Sequence, residues 1–241
     1  GVAVSGGGNL ADLPEFREGL FSIQDESSMV VADAVDPAPG MKVLDCCAAP
    51  GGKSAHLAEK MKDKGEVWAN DVHPHKERLI RSQASRLGLA SIRTLVSDAA
   101  ELGLRFPPAS FDRILLDAPC SGFGVIRRKP EIKWNRRPGD PESLAETQLK
   151  LLDAVSGLVR PAGIVVYSTC TLDYTENEEV VRKFLEAHPE FETDGNFGCV
   201  AEEVRAKAAI APGMLRILPH MFRTDGFFIA RLRRKELGKH R

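Results

Sequence analysis

Four short apolar runs in this chain each close on an aspartate: Asp45 in Met41–Ala48, Asp71 ending Glu66–Asp71, Asp98 just past Ile92–Val96, and Asp117 ending Phe111–Asp117. Rich in Val, Ile and Leu without strict alternation, they read as strands covered on both faces. A fifth run of this kind is Gly163–Thr169, and Gly226–Leu232 reads as a last strand. Helical segments lie between them, over Lys53–Met61 and in a stretch that Pro74 can start and Gly88 can end. Alternating strand and helix predicts an α/β fold with a parallel sheet and helices on both faces. Two later helices carry S/T-x-x-E capping boxes, Ser143 with Glu146 and Thr175 with Glu178. In the first, Leu151, Leu152, Val155, Leu158 and Val159 form a core-facing stripe. Residues 191–215 give no signal. With 241 residues, 43% of them hydrophobic, and no linker-like stretch, one domain with short extensions is expected.

Several function classes are disfavoured. No apolar run reaches the roughly 18 to 20 residues that cross a bilayer, and the N-terminus lacks a signal-peptide pattern. Five cysteines, two of them adjacent (Cys46, Cys47), do not make a disulfide framework, so reduced thiols in a cytoplasm are expected. No CxxC occurs and the six histidines include no HxxxH pair, so no metal site is expected. The net charge of −1 conceals two basic segments: 127–137 and 231–241 each carry +5, leaving −11 on the rest. Basic patches on an acidic body suit a polyanion held at a defined place.

Ligands of a parallel sheet bind beyond the carboxyl ends of its strands, where the four aspartates fall. The loop Cys47-Ala48-Ala49-Pro50-Gly51-Gly52-Lys53 lets the backbone approach a ligand, and Asp71 follows at the distance of a ribose-binding carboxylate. Gly52-Lys53-Ser54 ends like a phosphate-binding loop, but Cys47 stands where its first glycine belongs, and GxGxxG is absent. A nucleoside cofactor with no phosphate, S-adenosylmethionine, fits best. A second constellation joins Asp117-Ala118-Pro119-Cys120-Ser121-Gly122 to Ser168-Thr169-Cys170-Thr171 at neighbouring strand ends. Two thiols beside a carboxylate suit methylation of carbon 5 of a pyrimidine: a thiolate adds to carbon 6 and makes carbon 5 nucleophilic. Asp117 would read the Watson–Crick edge, which requires an unpaired or flipped base. Cys46 and Cys47 read as packing and Cys199 as inert. In the basic segment, Arg127, Arg128, Lys129 and Lys133 would hold RNA phosphates while Phe123 or Trp134 stacks a base; packing of Trp134 onto the domain is the alternative.

Together, Asp45 to Lys53, Asp117 to Gly122, the Arg-Arg-x-Pro-x-x-x-Trp segment, and Ser168 to Thr171 with Glu176-Asn177 resemble the Sun-type RNA 5-methylcytosine methyltransferases, over about Gln24 to Leu232. The resemblance implies a class I methyltransferase fold, Rossmann-like, with a mostly parallel seven-stranded sheet. It implies S-adenosylmethionine held by Cys47 to Lys53, Asp71, Asp98 and Asp117, with Cys170 as nucleophile and Cys120 assisting release. The Pro119-Cys120 pair also resembles the nucleophile motif of DNA cytosine methyltransferases, so the reverse order stays open. Small-subunit ribosomal RNA is the implied substrate, of a monomer with residues 24–235 as catalytic domain, 1–23 as extension and 236–241 as basic tail. Full-length relatives carry an RNA-binding domain ahead of the catalytic one. Because this chain starts at Gly1, shortly before the first matched motif, choice of cytosine is expected to depend on parts it lacks. A tRNA or other RNA substrate, a nucleotide hydrolase using Lys53, and a non-catalytic RNA-binding module are the alternatives.

Overall fold

The computed structural model describes residues 2, 4 and 8–236. A one-turn helix α1 (Pro14–Arg17) and α2 (Glu26–Val35) lead into β1 (Lys42–Asp45), α3 (Gly52–Lys60), β2 (Glu66–Asp71), α4 (Pro74–Arg86), β3 (Ile92–Val96) and β4 (Phe111–Asp117). Next come α5 (Ile132–Asn135), α6 (Asp140–Ser156), β5 (Val159–Thr169), α7 (Glu178–Ala187) and β6 (Phe191–Thr193). The chain continues through α8 (Glu202–Ala208), β7 (Ala209–Ala211), β8 (Met214–Ile217), α9 (Pro219–Phe222) and β9 (Phe227–Arg234).

The strand order is β3-β2-β1-β4-β5-β9-β8-β7, with β6 paired to β9 beside this row. β1 to β5 are parallel, β9 is antiparallel to β5, and β8 is antiparallel to β9 and so runs with the first five. The expected seven-stranded row therefore runs from β3 to β8, but the sheet holds nine strands. The two additions, β6 and β7, are three residues each and fall in 191–215. Three residues are too few for a period to show.

Period-two alternation sorts the strand side chains into two cores. Leu44, Ile114, Leu116, Val165 and Tyr167 join the cluster under α6 and α7, while Val43, Leu115 and Val166 join α2 and α3 on the other face. The order turns back between β1 and β4, which opens a crevice at their carboxyl ends.

Three local expectations change. Neither capping box caps: α6 begins three residues before Ser143, after Gly139 in a left-handed turn, and α7 is preceded by Asn177, not Thr175. Pro141 and the acidic Asp140 and Glu142 mark the true start of α6. Helix α2 was not expected, although its buried Ser27, Val31, Ala34 and Val35 have helical spacing. In the described part of the second basic segment, Arg231 pairs with Asp194, Arg233 with Glu192, and Arg234 donates to Val159 O. Residues 237–241 of the basic tail lie outside the described residues.

Ahead of Gln24, Phe16 and Phe21 dock on α4. The Arg86 guanidinium lies 3.9 Å from the Phe16 ring centre and donates to the carbonyls of Phe16 and Phe21. Among the described residues no helix is long and apolar enough to cross a membrane.

Candidate active site

The first wall of the crevice is the loop after β1. Gly51 adopts φ +106°, and a side chain there would meet Ile80 Cα at 3.0 Å, so this turn requires glycine. It leads into α3, whose first turn has no side-chain cap. Its free N–H groups point at the crevice with the positive end of the helix dipole. Asn70 ties the strand ends by donating to Cys46 O and Ser97 O.

The four aspartates converge as expected. Burial first, then Asp45, Asp117, Asp71 and Asp98 in turn, push the Cys47 thiol up. Asp71 spends Oδ1 on the N–H of His73, and Asp98 caps the turn at Ala100. Asp45 is fully buried, accepts from Ser54 Oγ at 2.6 Å through Oδ2, and leaves Oδ1 without a partner. Burial raises it to about 7, with Asp117 adding to the rise against Ser54 and Lys53. Lys53 Nζ stands 2.7 Å from Asp117 Oδ2. Burial alone would lower the Lys53 ammonium, but Asp117 outweighs it and the pKa rises. With Lys53 and Ser54 both committed to carboxylates, the hydrolase alternative loses its phosphate ligands.

The second wall carries the thiols. β4 and β5 pair in register with Asp117 opposite Ser168, and Cys120 Sγ lies 3.3 Å from Cys170 Sγ. The hydrogen bond from Cys120 pulls the Cys170 thiol down against burial and Asp117, helped by Lys53 and Lys129. The same bond, burial and the charge on Cys170 push Cys120 well up. Of the two thiols Cys170 is therefore the more acidic.

A buried polar lattice holds both loops. Glu176 Oε2 accepts from Ser121 N and Gln148 Nε2, each at 2.9 Å, and Gln148 also donates to Pro119 O. Ser121 Oγ bonds Thr171 Oγ1 at 2.7 Å, Ser168 Oγ donates to Asp117 Oδ1, and Asn177 bridges Thr169 and Thr171. Gly124 joins the loops through the backbone: its N–H donates to Cys170 O and its carbonyl accepts from Gly226 N. A methyl on Gly124 would stand 2.2 Å from Gly226 O.

The basic segment differs from expectation. Arg127 and Arg128 place Nε at 2.7 Å from the two Asp225 oxygens, and both also pair with Asp25. Those two expected phosphate contacts are occupied by carboxylates. Lys129 and Lys133 are exposed, and so is Trp134, at 84%. Trp134 does not pack onto the domain.

A family model described as 16S rRNA methyltransferase RsmB/F matches residues 32–233. The chain belongs to the RsmB/F family. It is 52% identical over 228 residues to a Bacillus subtilis protein named probable ribosomal RNA small subunit methyltransferase B, covering 95% of this chain and 51% of that relative. The chain thus spans about half the length of the curated relatives it matches. Among solved structures it is similar to PH0851, with TM-score 0.87 and 36% identity over 93% of this chain and 49% of that one. It is also similar to NSun6 from Pyrococcus horikoshii with SFG, with TM-score 0.82 and 32% identity over 95% of this chain and 56% of that one. The Rossmann-like class I methyltransferase fold expected from the motifs agrees with these neighbours.

Within the RsmB/F frame, Glu176 and Asn177 stood in the quoted motifs without a role, and sequence reasoning missed Gln148. Gln148 carried a legible signal: it is a polar residue on the apolar stripe of α6, at positions i−3, i−4 and i−7 from Leu151, Leu152 and Val155, and is fully buried. Asn70, Ser54 and Arg136 carried none.

Proposed function

We propose that this chain carries the catalytic centre of an S-adenosylmethionine-dependent RNA methyltransferase that alkylates carbon 5 of a cytosine in small-subunit (16S) ribosomal RNA. The observation that carries this reading is the 3.3 Å approach of Cys120 and Cys170 beside the Lys53–Asp117 pair. The names of the relatives and the neighbour solved with SFG, an analogue of S-adenosylmethionine, support it. The first wall fits that cofactor: uncapped N–H groups of α3 suit its carboxylate, Asp71 its ribose hydroxyls, and the orphaned Asp45 oxygen marks unsatisfied polar space beneath the loop. When bound, it supplies an electrophilic methyl group.

The Cys170 thiolate adds to carbon 6, forming a C–S bond and moving the ring π electrons to carbon 5. Asp117 steadies the base edge through its remaining lone pairs, since Lys53 and Ser168 already engage both oxygens. Carbon 5, made nucleophilic by the adduct, would then take up the methyl group. With Cys170 held in the adduct, Cys120 gives its S–H proton to solvent and, as a thiolate, accepts the proton from carbon 5. The C–S electrons return to Cys170 as carbon 5 loses that proton, and the base is freed. A ribosomal RNA substrate implies action in the cytoplasm with reduced thiols.

Labelled methyl transfer to protein-free 16S RNA tests the reading with wild type, Cys120→Ala and Cys170→Ala side by side. Cys120→Ala is expected to accumulate a denaturation-resistant RNA adduct, and Cys170→Ala to transfer nothing. Normal turnover by Cys170→Ala would overturn the nucleophile assignment.

A further inference from the structure

The 123–137 segment uses part of its charge to hold itself in place. Arg127 and Arg128 anchor its root to Asp25 and Asp225, and Arg136 anchors its far end to the thiol loop, with Nε 2.9 Å from Ser121 O and Nη2 2.9 Å from Cys120 O. Between these anchors, Ile132 of α5 packs on Gly122, where a Cβ would meet its Cδ1 at 3.0 Å. Two residues along a helix turn the side chain by about 200°, so Trp134 points away from that contact. It is 84% exposed on a segment fixed at both ends. Its Cα is within about 8 Å of that of Arg136, which touches the Cys120 loop. Lys129, Lys133 and Arg137, on the same segment, are exposed and have no carboxylate in ion-pairing distance among the described residues.

We propose that Trp134 is a stacking platform for an unpaired base flanking the target cytosine, with Lys129, Lys133 and Arg137 on the adjoining phosphates. This rests on the RNA methyltransferase reading and adds how the strand is held beside the thiols. An indole offered to solvent amid unpaired cations matches the combination that single strands require: a π-face for a base and positive charge for the backbone. An acidic protein partner would use the cations, but has less use for an exposed indole on the same anchored segment. Stacking accepts any base, so the platform contributes affinity and register, not sequence choice.

The two tryptophans of the chain make the test direct. Trp68 is packed edge-to-face against Phe106 and bonds Glu66, so a change in emission on adding RNA reports Trp134. A short single-stranded cytosine-rich RNA, titrated without cofactor, is expected to quench the emission. Trp134→Ala should weaken binding by between about 5- and 150-fold with an unchanged melting temperature. Trp134→Phe should restore most of the affinity while removing the signal. On 16S RNA that the wild type methylates, an abasic substitution beside the target should raise KM for wild type and not for Trp134→Ala. Unquenched emission and full affinity of Trp134→Ala, in a chain that binds and methylates RNA, would overturn the platform alone. A wild type that neither binds RNA nor transfers methyl groups to it would overturn the platform and the reading beneath it.

Discussion

The two walls of the crevice differ in how densely their polar atoms are paired. On the glycine-loop wall the first turn of α3 is uncapped, and the inner oxygens of Asp45 and Asn70 have no partner. On the thiol wall Asp117, Ser121, Gln148, Ser168, Thr171 and Asn177 bond one another or the loop backbone, and Glu176, which pairs through Oε2, leaves its buried Oε1 without a partner. Leaving buried groups unpaired costs stability, and a ligand that pairs them returns it. The first wall is thus arranged to gain from being filled, while the second has its geometry set before any substrate arrives, as a reacting centre requires.

Removing chemistry from the second wall should leave the first intact. Cys170→Ala is expected to lower methyl transfer by about 10⁴-fold or more, with binding of S-adenosylmethionine unchanged in calorimetry. A parallel loss of cofactor affinity would show that the walls are one unit. Next in size, Glu176→Ala unpairs the Ser121 N–H and the Gln148 amide together. It should cost about 2 to 4 kcal/mol in denaturant unfolding and slow turnover without changing the cofactor KM. A variant as stable as wild type would mean that the lattice does not hold the loops.

Gly51→Ala addresses the other wall. Forcing a side chain to φ +106° and against Ile80 should weaken cofactor binding by about tenfold, while Cys170 keeps its alkylation rate toward a small reagent. The smallest effect concerns Asp45. Its carboxyl titrates near 7 in the fold against 3.8 in the open chain, so the folded state holds the proton more tightly. Its contribution to stability is complete below pH 4, falls as pH rises toward 7, and stays lost above that. Asp45→Asn should flatten this decline and gain on the order of 1 kcal/mol at pH 8 relative to pH 5, measured as melting temperature against pH. An unchanged slope would remove Asp45 as its source.

The parallel half of the fold was legible because β1, β2, β4 and β5 are largely buried and β1, β2 and β4 end on acids at the crevice, whereas β3, at the edge of the row, is half-exposed and was legible from its apolar composition alone. Proximity of the thiols followed from adjacency of β4 and β5. The ion pairs of Arg127 and Arg128 were not legible, since Asp25 and Asp225 lie about a hundred residues away on either side and a local charge count treats paired and free cations alike. Helix α2 was legible at Ser27, Val31, Ala34 and Val35, yet it follows none of the expected strands and went unread. Glu176 appeared only as part of a motif, because its role depends on Gln148 and Ser121 meeting it from two other elements.

β9 follows β8 in the chain yet lies between β8 and β5. A sheet assembled in chain order must therefore keep a slot open, with the edges of β5 and β8 both exposed until Phe227–Arg234 arrives. Such open edges attract other chains during synthesis. Gly226, at the start of the arriving strand, is also what Gly124 clasps, so the thiol loops acquire their final backbone contact only when that slot is filled. Nascent chains halted before this strand should carry both cysteines and still lack a working pair.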